Sequence, residues 1–577
     1  MKKNDFIIVG ILVALMFAWM SFYPALEQKF FPRPAQPEKP AASAAPAAVE
    51  APAVPVLTGK APAIAEAAVT KATEAALPAA PEQRMTLSND DIELTVSSYG
   101  GAVVSAVLKN YPAENRKGSG PIVLNFESAP ALRYAGLPVP AGVLEKTADG
   151  LRYTVALGDG RFLERTLKLQ GDYLLTIKDS FVNTGTAPWA LPELRLPTGP
   201  MAEAKGTTAM AGVITLGVDS FAPAEGVHHW GGSLGKFFSD SPSEKGLRTT
   251  TPDMIPPRPV DWVAAKNKFF VQILTPENAA SAFDLSLRRE GEGKKNVPVE
   301  VAAALRFNSE LVAGSETVSR TIRVYIGPKD YSFLKTQGME QVEVMEFKSM
   351  GFWKFMNPVM YPIKTGLLWG MKALYKVVRN YGVAIMLLTV IVRVIFWPIT
   401  HKGTESMRKM QALQPQLKEI REKFKDNPQR MQQETMAFYK ENKVNPMGGC
   451  LPMLIQIPVF IALFVVLRSA IELRFSKFLW IRDLSEPENL FAGTFTIPIV
   501  GWNSLNILPI LMCATMVWQQ KMTPSAGDPQ QQKMMAIMMP IMMLFFFYTM
   551  PSGLVLYWTV SNVIMIVQML IKKQKPA

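Results

Sequence analysis

The hydrophobic pattern divides the chain into two kinds of segment. Within residues 85–340, apolar and polar side chains alternate in short runs such as Ile92–Val96, Tyr173–Ile177 and Thr321–Ile326. Alternation with period two predicts strands that bury one face. Turn residues such as Gly158-Asp159-Gly160 separate the runs. The pattern therefore predicts an antiparallel β-sandwich over residues 85–340.

Long apolar runs dominate the remainder of the chain. One runs from Phe6 to Met20 behind Lys2 and Lys3, and five more lie between residues 380 and 571. The first predicts an uncleaved anchor, because Ser21-Phe22-Tyr23-Pro24 lacks a small-residue cleavage site; a cleaved export signal is the alternative. Several of the other runs are shorter than the ~20 residues that a bilayer core requires, so we expect tilting or local thinning.

These patterns predict a multi-domain membrane protein: an α-helical five-span core, an N-terminal anchor helix and a large periplasmic antiparallel β-sandwich. The predicted segments are an anchor (1–24), an Ala/Pro-rich linker (25–84), the β-sandwich (85–340), an interfacial amphipathic helix (341–379), transmembrane segment 2 (380–401), a cytoplasmic helical hairpin (402–446), segment 3 (447–467), a periplasmic loop (468–505), segment 4 (506–520), a cytoplasmic loop (521–533), segment 5 (534–550), segment 6 (553–571) and a basic cytoplasmic tail (572–577). The Lys and Arg distribution predicts that both termini are cytoplasmic.

Residues 341–379 mix aromatic and basic side chains, and their longest uncharged stretch, Phe355–Ile363, is too short to span a bilayer. This mixture favours a helix at the membrane surface with its lysines among lipid phosphates. The alternative is an ordinary surface helix of the β-sandwich domain.

Charge and composition narrow the function. The net charge of +13 lies entirely in residues 341–577, which hold 26 Lys/Arg against 13 Asp/Glu, and 24 of the 32 Met lie from Met345 onward. Two cysteines and three histidines exclude a disulfide framework and make a metal site improbable. Walker, dinucleotide-binding and HExxH motifs are absent from the sequence. We therefore expect no metal, no cofactor, no nucleotide-driven step and no enzymatic activity.

Arg393 is the sharpest functional signal, because it interrupts an apolar run. A charge near mid-span costs about 2.5–3.5 kcal/mol and faces a cavity or partner rather than lipid. We expect a hydrated groove that Arg393 shares with Thr389, one turn earlier, and with Gln456. The alternatives are that Arg393 extends to the cytoplasmic headgroups and that Gln456 joins helices by hydrogen bonds.

The segment Met534–Met550 contains seven methionines among seventeen residues. Unbranched, polarizable side chains adapt to varied apolar partners. The segment therefore suits a surface that accepts many different helices, with a lipid-facing filler helix as the alternative.

An apolar seam predicts the hairpin. Its members repeat at helical spacing and are Met407, Met410, Leu413, Leu417, Ile420 and Phe424. Asp426-Asn427-Pro428 ends the first helix, with Asn427 as N-cap and Pro428 as the first residue of a second. Ten basic residues give the hairpin a charge of +4. That charge suits ribosomal RNA or anionic lipid, unless it is only a solvated helix face.

Several motifs together resemble the YidC-type membrane protein insertases of Gram-negative bacteria, over the whole chain. They are Thr389-Val-Ile-Val-Arg393, Leu413-Gln414-Pro415, Asn445-Pro446-Met447-Gly448-Gly449-Cys450-Leu451-Pro452, Gln456-Ile457-Pro458, Pro551-Ser552-Gly553-Leu554 with Tyr557, and Ser561-Asn562. The resemblance implies a groove that is open to cytoplasm and lipid and closed to the periplasm. Arg393, Thr389 and Gln456 would form it.

The resemblance also implies client contacts, partners and a location. The expected contacts are Met453, Phe460, Phe546, Tyr557 and Trp558, the last standing where relatives often have a second Tyr. The implied partners are nascent membrane protein clients, the Sec translocon, membrane lipids and the ribosome, the ribosome through the hairpin and cytoplasmic loops, but not DNA. The implied location is the bacterial inner membrane.

Two other classes of protein were weighed. A solute transporter predicts inverted repeats and paired intramembrane charges, and the sequence shows neither. A membrane-anchored carbohydrate enzyme would place its site in the β-sandwich at Glu193 or His228.

Overall fold

The computed structural model describes residues 81–138, 140–207, 215–230, 248–250, 257–290, 297–348, 351–424, 427–442, 444, 451–493, 502–523 and 529–573. The predicted anchor, most of the linker, and the motif 445–450 lie outside these residues.

The N-terminal half forms antiparallel sheets. The first sheet has the order β1 (Arg84–Ser88), β2 (Ile92–Ser97), β3 (Ala102–Pro112), β4 (Pro121–Asn125). The largest sheet has the order β13-β12-β15-β16-β20-β8-β7-β6-β5 and consists of β5 (Val143–Thr147), β6 (Gly150–Gly158), β7 (Arg161–Gln170), β8 (Leu174–Asn183), β12 (Gly217–Ala222), β13 (Gly226–His229), β15 (Trp262–Lys266), β16 (Phe270–Pro276) and β20 (Thr317–Pro328).

Two smaller sheets complete this part. One has the order β10 (Leu194–Pro197), β18 (Val297–Phe307), β17 (Ala282–Glu290), β14 (Arg248–Thr250), with β11 (Met201–Ala202) also on β18. The other pairs β9 (Trp189–Leu191) with β19 (Glu310–Val312). Side chains from the sheets share one hydrophobic core, which confirms the predicted antiparallel β-rich domain.

Period-two burial explains why the sequence predicted these strands. In β8, every second residue from Leu175 to Phe181 is buried, Asp179 included, while Thr176, Lys178 and Ser180 between them are more exposed. The turn between β6 and β7 has positive φ at Gly158 (86°), Asp159 (50°) and Gly160 (71°), a conformation that glycine adopts without strain.

Nine α-helices lie within the described residues. They are α1 (Tyr331–Thr336), α2 (Asn357–Val378), α3 (Tyr381–Ala412), α4 (Gln414–Lys423), α5 (Pro428–Glu441), α6 (Leu451–Ser469), α7 (Ile507–Met522), α8 (Pro529–Phe547) and α9 (Ser552–Lys573). Short 3₁₀ turns lie at Gln341–Met345, Gly351–Met356 and Ile471–Leu473.

The helical part matches the membrane character of the sequence. In the described ranges, Tyr381–Pro398 and Ser552–Ile571 are long and apolar enough to cross a bilayer. Gln456–Ser469 and Ala536–Phe547 are shorter apolar helices. The expectation that some spans are short therefore agrees with the helices, whereas the number of spans stays a prediction.

Helix α2 corrects part of the interfacial prediction. Lys364 was expected among lipid phosphates, but it is buried and its Nζ donates to the Phe347 carbonyl at 2.7 Å. Lys372 pairs with Asp330 at 3.1 Å and Glu472 at 2.6 Å. Apolar Trp369 occupies the exposed face instead, 74% exposed. The lysines lie inward because carboxylates and a carbonyl of the chain satisfy them there.

The hairpin has one feature that the seam did not predict. Helix α3 runs without interruption from the membrane segment into the hairpin and ends at Ala412, so the seam is divided between α3 and α4. The second break is as predicted, since Asn427 Oδ1 accepts from the Arg430 N–H at 3.0 Å and α5 begins at Pro428. Met410 and Leu417 pack with Tyr439 in a small separate core.

Candidate functional site

A cavity of about 610 Å³ lies among α3, α6, α7, α8 and α9. Its polar lining residues are Arg393, Thr400, His401, Arg408, Gln456, Gln519, Gln520, Lys521, Thr523, Asn562 and Gln568. Its larger apolar lining residues are Trp397, Met407, Ile457, Phe460, Met516, Met522, Met539, Met543, Trp558, Met565 and Met569.

The lining residues come from different levels of the five helices. They occupy the middle and C-terminal parts of α3 and α9, the C-terminal part of α7, the N-terminal half of α6 and, at Met539 and Met543, the C-terminal half of α8. Along α3 the lining extends from Arg393 to Arg408, roughly 22 Å at 1.5 Å per residue.

Arg393 lies at the inner end of this lining on α3. The residue is 8% exposed, and its Nε donates to Ser561 Oγ of α9 at 2.8 Å. Its Nη2 donates to the same oxygen. Arg393 is therefore held by a neutral acceptor, not by a carboxylate.

The charged side chains in the described lining of the cavity are all positive. Arg393, Arg408 and Lys521 contribute three cations, and the lining within the described residues contains no Asp or Glu. Walls of low dielectric constant concentrate the field of such charges. The cavity is therefore suited to attract an acidic segment.

Aromatic and methionine side chains form the apolar wall. Phe460 contacts Trp558 edge to face, with ring centroids 5.1 Å apart, and Phe547 at 5.8 Å. Met539 and Met543, four residues apart on α8, face the cavity, while Ile537 and Ile541 of the same helix are exposed at 40% and 38%. One face of the Met-rich helix therefore lines the cavity and another faces outward, and both interpretations of this helix stay predictions.

The structure brings together some of the predicted site residues but not all. Gln456 and Arg393 line the same cavity, although the recorded bonds of Arg393 go to Ser561 rather than Gln456. Thr389 was expected in the groove, but it is fully buried and its Oγ1 donates to the Ile385 carbonyl at 2.7 Å. A helix threonine commonly bonds to the preceding turn in this way.

Some of the expected client contacts line the cavity and others do not. Phe460 and Trp558 line the cavity, whereas Tyr557 is 2% exposed and lies inside the helical core. Phe546 is 49% exposed but lies outside the cavity lining. The side chain of Met453 lies outside the described residues. Of the adjacent aromatic pair on α9, the structure thus presents Trp558 and buries Tyr557.

Of the predicted hairpin residues, one lines the cavity and the others belong to the hairpin itself. Met407 of the seam lines it. Leu417 is buried in the hairpin core, Leu413 packs against that core, and Ile420 is half-buried. Phe424 is half-buried beneath the Arg430 guanidinium, 5.3 Å from its ring centroid.

The described part of the loop between α6 and α7 forms hydrogen bonds with the ends of the neighbouring helices. The Gly553 N–H donates to the Leu484 carbonyl at 2.8 Å, and the Ser552 hydroxyl to the Glu486 carbonyl at 2.7 Å. Asn506 Nδ2 donates to the Tyr548 carbonyl at 2.6 Å. These bonds join the described part of the loop to the ends of α7, α8 and α9.

Sequence reasoning quoted Ser561-Asn562 only as a motif of the resemblance and did not assign it, or several other lining residues, to the groove. Ser561 and Asn562 form a polar pair in an otherwise apolar run, and this signal was visible in the sequence. Asn562 Nδ2 donates to Thr515 Oγ1 of α7 at 3.3 Å, so the two neighbours connect α9 to α3 and to α7. Arg408 and Gln519 carried no signal, because only the packing of both α3 and α7 against α9 brings them to one cavity.

The residues considered for a carbohydrate enzyme are engaged elsewhere. Glu193 pairs with Arg195 at 2.9 Å on an exposed surface. The His228 ring lies 4.2 Å from that of Trp230, centroid to centroid, and burial lowers the pKa of this His. Neither arrangement forms an acid–base pair of carboxylates.

Comparisons with known proteins agree with the geometry. The family model described as the 60Kd inner membrane protein matches residues 373–577, and that of the YidC periplasmic domain matches residues 84–348. A membrane protein insertase YidC of Syntrophus aciditrophicus is 33% identical over 86% of this chain and 86% of its own length. One of Chlorobaculum tepidum is 32% identical over 98% of this chain and 94% of its own.

A solved structure described as an active YidC insertase aligns with 85% of this chain and 93% of its own, at 18% identity and a TM-score of 0.34. The assignment follows from the sequence relatives, which match nearly the whole chain and carry one name. The chain belongs to the YidC family of membrane protein insertases, which insert proteins into membranes.

Proposed function

We propose that the chain inserts integral membrane proteins, and helps them fold, through the cavity that contains Arg393. The observation that carries this proposal is a buried guanidinium with a neutral acceptor, in a cavity with three cations and no carboxylate among its described lining residues. The acidic hydrophilic part of a client would enter there. Its apolar span would pass along the Met and aromatic wall into lipid.

This mechanism requires no bond to form or break. The client moves from water to the cavity and then to lipid, and burial of its apolar span supplies the free energy. The proposal therefore includes no enzymatic step, cofactor or nucleotide. A solute transporter fits less well, because the described lining residues hold cations but no carboxylate and so form no pair of opposite charges within the cavity.

The proposal includes an orientation. The cavity would open to the cytoplasm, with the hairpin at its mouth, and the β-rich domain would lie in the periplasm. The basic excess of the hairpin and of the tail supports this orientation by the positive-inside rule. We extend the proposal to contact with ribosomal RNA through the hairpin and the loop at Lys521, and to joint action with the Sec translocon.

The test replaces Arg393 in full-length protein in liposomes. The clients are a single-span protein whose translocated segment carries two Asp, and a twin with two Asn. Arg393→Ala should lower insertion of the acidic client roughly tenfold, which corresponds to about 1.4 kcal/mol. It should leave the Asn twin unchanged, and Arg393→Lys should restore part of the loss. Protease protection of the translocated segment measures insertion, and equal insertion of the acidic client by all three proteins contradicts the charge mechanism.

A further inference from the structure

The partner of Arg393 is unusual for a buried cation. Ser561 is fully buried, and its hydroxyl oxygen accepts from both Nε and Nη2, the edge of the guanidinium that normally grips a carboxylate with two bonds. A hydroxyl has two lone pairs, so it can accept both bonds. It satisfies this edge without cancelling the charge.

The opposite edge of Arg393 is the one left for a client. A guanidinium has five N–H donors in a rigid plane, and the recorded bonds use two of them. Arg393 lines the cavity, where no described lining residue is a carboxylate. Because the guanidinium is planar and rigid, holding its Nε–Nη2 edge also fixes the direction of its opposite edge.

Contacts on two sides of α9 hold Ser561 itself in place. Its neighbour Asn562 bonds to Thr515 of α7, and Ser561 lies where α9 packs against α3. The rotation of α9 is thus set on two sides. Arg side chains have about 2 kcal/mol of rotamer entropy to lose, and a fixed acceptor removes much of this freedom before a client arrives.

We propose that Ser561 is a positioning and specificity residue: it holds Arg393 by a neutral acceptor so that the free edge and the full charge face an acidic client. This inference rests on the proposed function of the cavity. Asp at the same place would hold the same edge more strongly but neutralise the charge. Ser561 therefore determines whether the site prefers acidic segments.

The experiment uses Ser561→Asp and Ser561→Asn, a matched pair that differs in charge but hardly in shape. Full-length variants in liposomes insert the two-Asp client and its Asn twin, and the readout is the ratio of the two yields. Ser561→Asp should lower this ratio roughly tenfold relative to Ser561→Asn, which is about 1.4 kcal/mol. Insertion of the Asn twin should be the same for both, which also shows that both variants fold.

A second pair of variants keeps the test valid if Ser561→Asp does not fold. Ser561→Thr retains the hydroxyl and should keep the wild-type ratio, whereas Ser561→Ala should lower it roughly threefold, about 0.7 kcal/mol. Equal ratios for Asp and Asn, or for Ala and Thr, would overturn the role of Ser561. Arg393→Ala in the same assay separates the two hypotheses: if it lowers the ratio while all Ser561 variants match wild type, only the positioning role fails.

Discussion

Two buried arginines show how the choice of partner sets the role of a charge. Arg165 on β7 meets Asp179 on β8 through two bonds, Nε–Oδ1 at 2.6 Å and Nη2–Oδ2 at 2.9 Å, and both side chains are fully buried. The two charges of this pair neutralise each other, and the pair joins β7 to β8. Arg393 presents the same edge to a hydroxyl and keeps its net charge. An arginine side chain therefore has a structural role at Arg165 in the sheet, whereas at Arg393 in the cavity it is suited to binding.

Lys329 provides a prediction about pH at the end of β20. Burial, with the nearby charge of Lys266, lowers the pKa of Lys329 to about 7. Between pH 7 and the ordinary lysine value of 10.5, the unfolded chain binds a proton that the folded chain does not, so the free energy of unfolding rises with pH there. Lys329→Met should remove this slope.

The expected result is a higher unfolding midpoint for Lys329→Met at pH 7, with a gain that shrinks toward pH 10.5. Thermal unfolding of the purified chain at pH 7, 8.5 and 10 measures it. Lys205→Met is the control, because that side chain is 81% exposed. A gain for Lys329→Met that is the same at all three pH values would show that packing, rather than proton binding, causes it.

At the scale of elements, the sequence predicted the helix boundaries that capping residues within one turn determine. Asn427 and Pro428 marked the start of α5 because a cap and a fixed φ act within one turn. The continuation of α3 to Ala412 was not predicted, because the boundary was placed where the apolar run ends and a hydrophobic pattern does not show whether the helix continues beyond it. The inward direction of Lys364 depends on the carbonyl of Phe347, seventeen residues away, and a periodicity argument contains no such information.

The hairpin gives a prediction for an element. Leu417 is 1% exposed in the hairpin core with Met410 and Tyr439. Leu417→Ala should lower local stability by about 2–5 kcal/mol, because burial is lost and a cavity remains. Faster amide exchange and faster tryptic cleavage in residues 414–441 should report this. Gln416→Ala, which truncates an exposed neighbouring side chain and leaves every Lys and Arg in place, should change neither rate. Equal rates for both variants would mean that the seam does not hold the hairpin together.

At the scale of the whole molecule, the β-rich domain is fixed to the helical core by specific polar contacts. Asn115 Nδ2 donates to the Arg482 carbonyl at 2.7 Å, and Arg474 Nη1 donates to the Pro112 carbonyl at 2.7 Å. The sequence predicted both domains but could not predict this junction, because its partners are more than 350 residues apart.

A second junction reaches the membrane helix that carries Gln456. Lys266 of β15 pairs with Asp219 at 2.7 Å and with Glu346 at 2.9 Å, and Glu346 in turn meets Arg468 of α6 at 3.5 Å. Burial alone would raise the pKa of Glu346, but Lys266 and Arg468 hold it well below the ordinary value. The carboxylate therefore stays charged, and the domain remains tied to α6.

The junction at Lys268 allows a test of how firmly the two parts are joined. Lys268 is 5% exposed, donates to the Ser485 carbonyl at 2.9 Å and forms an ion pair with Glu486. Breaking a buried pair costs about 3–5 kcal/mol, whereas a surface pair contributes about 0–1 kcal/mol. Lys268→Ala should therefore lower the unfolding midpoint and speed proteolysis in residues 468–493.

Lys168→Ala is the matched control, since Lys168 forms a comparable pair with Asp149 on the surface, 48% and 66% exposed. Its unfolding midpoint should stay within the error of wild type. The double variant Lys268→Ala with Glu486→Ala should recover part of the loss, because it removes both charges from the junction. If Lys268→Ala behaves like Lys168→Ala, the β-rich domain is held by its apolar contacts and carbonyl bonds, and the Lys268 ion pair adds nothing to the joint.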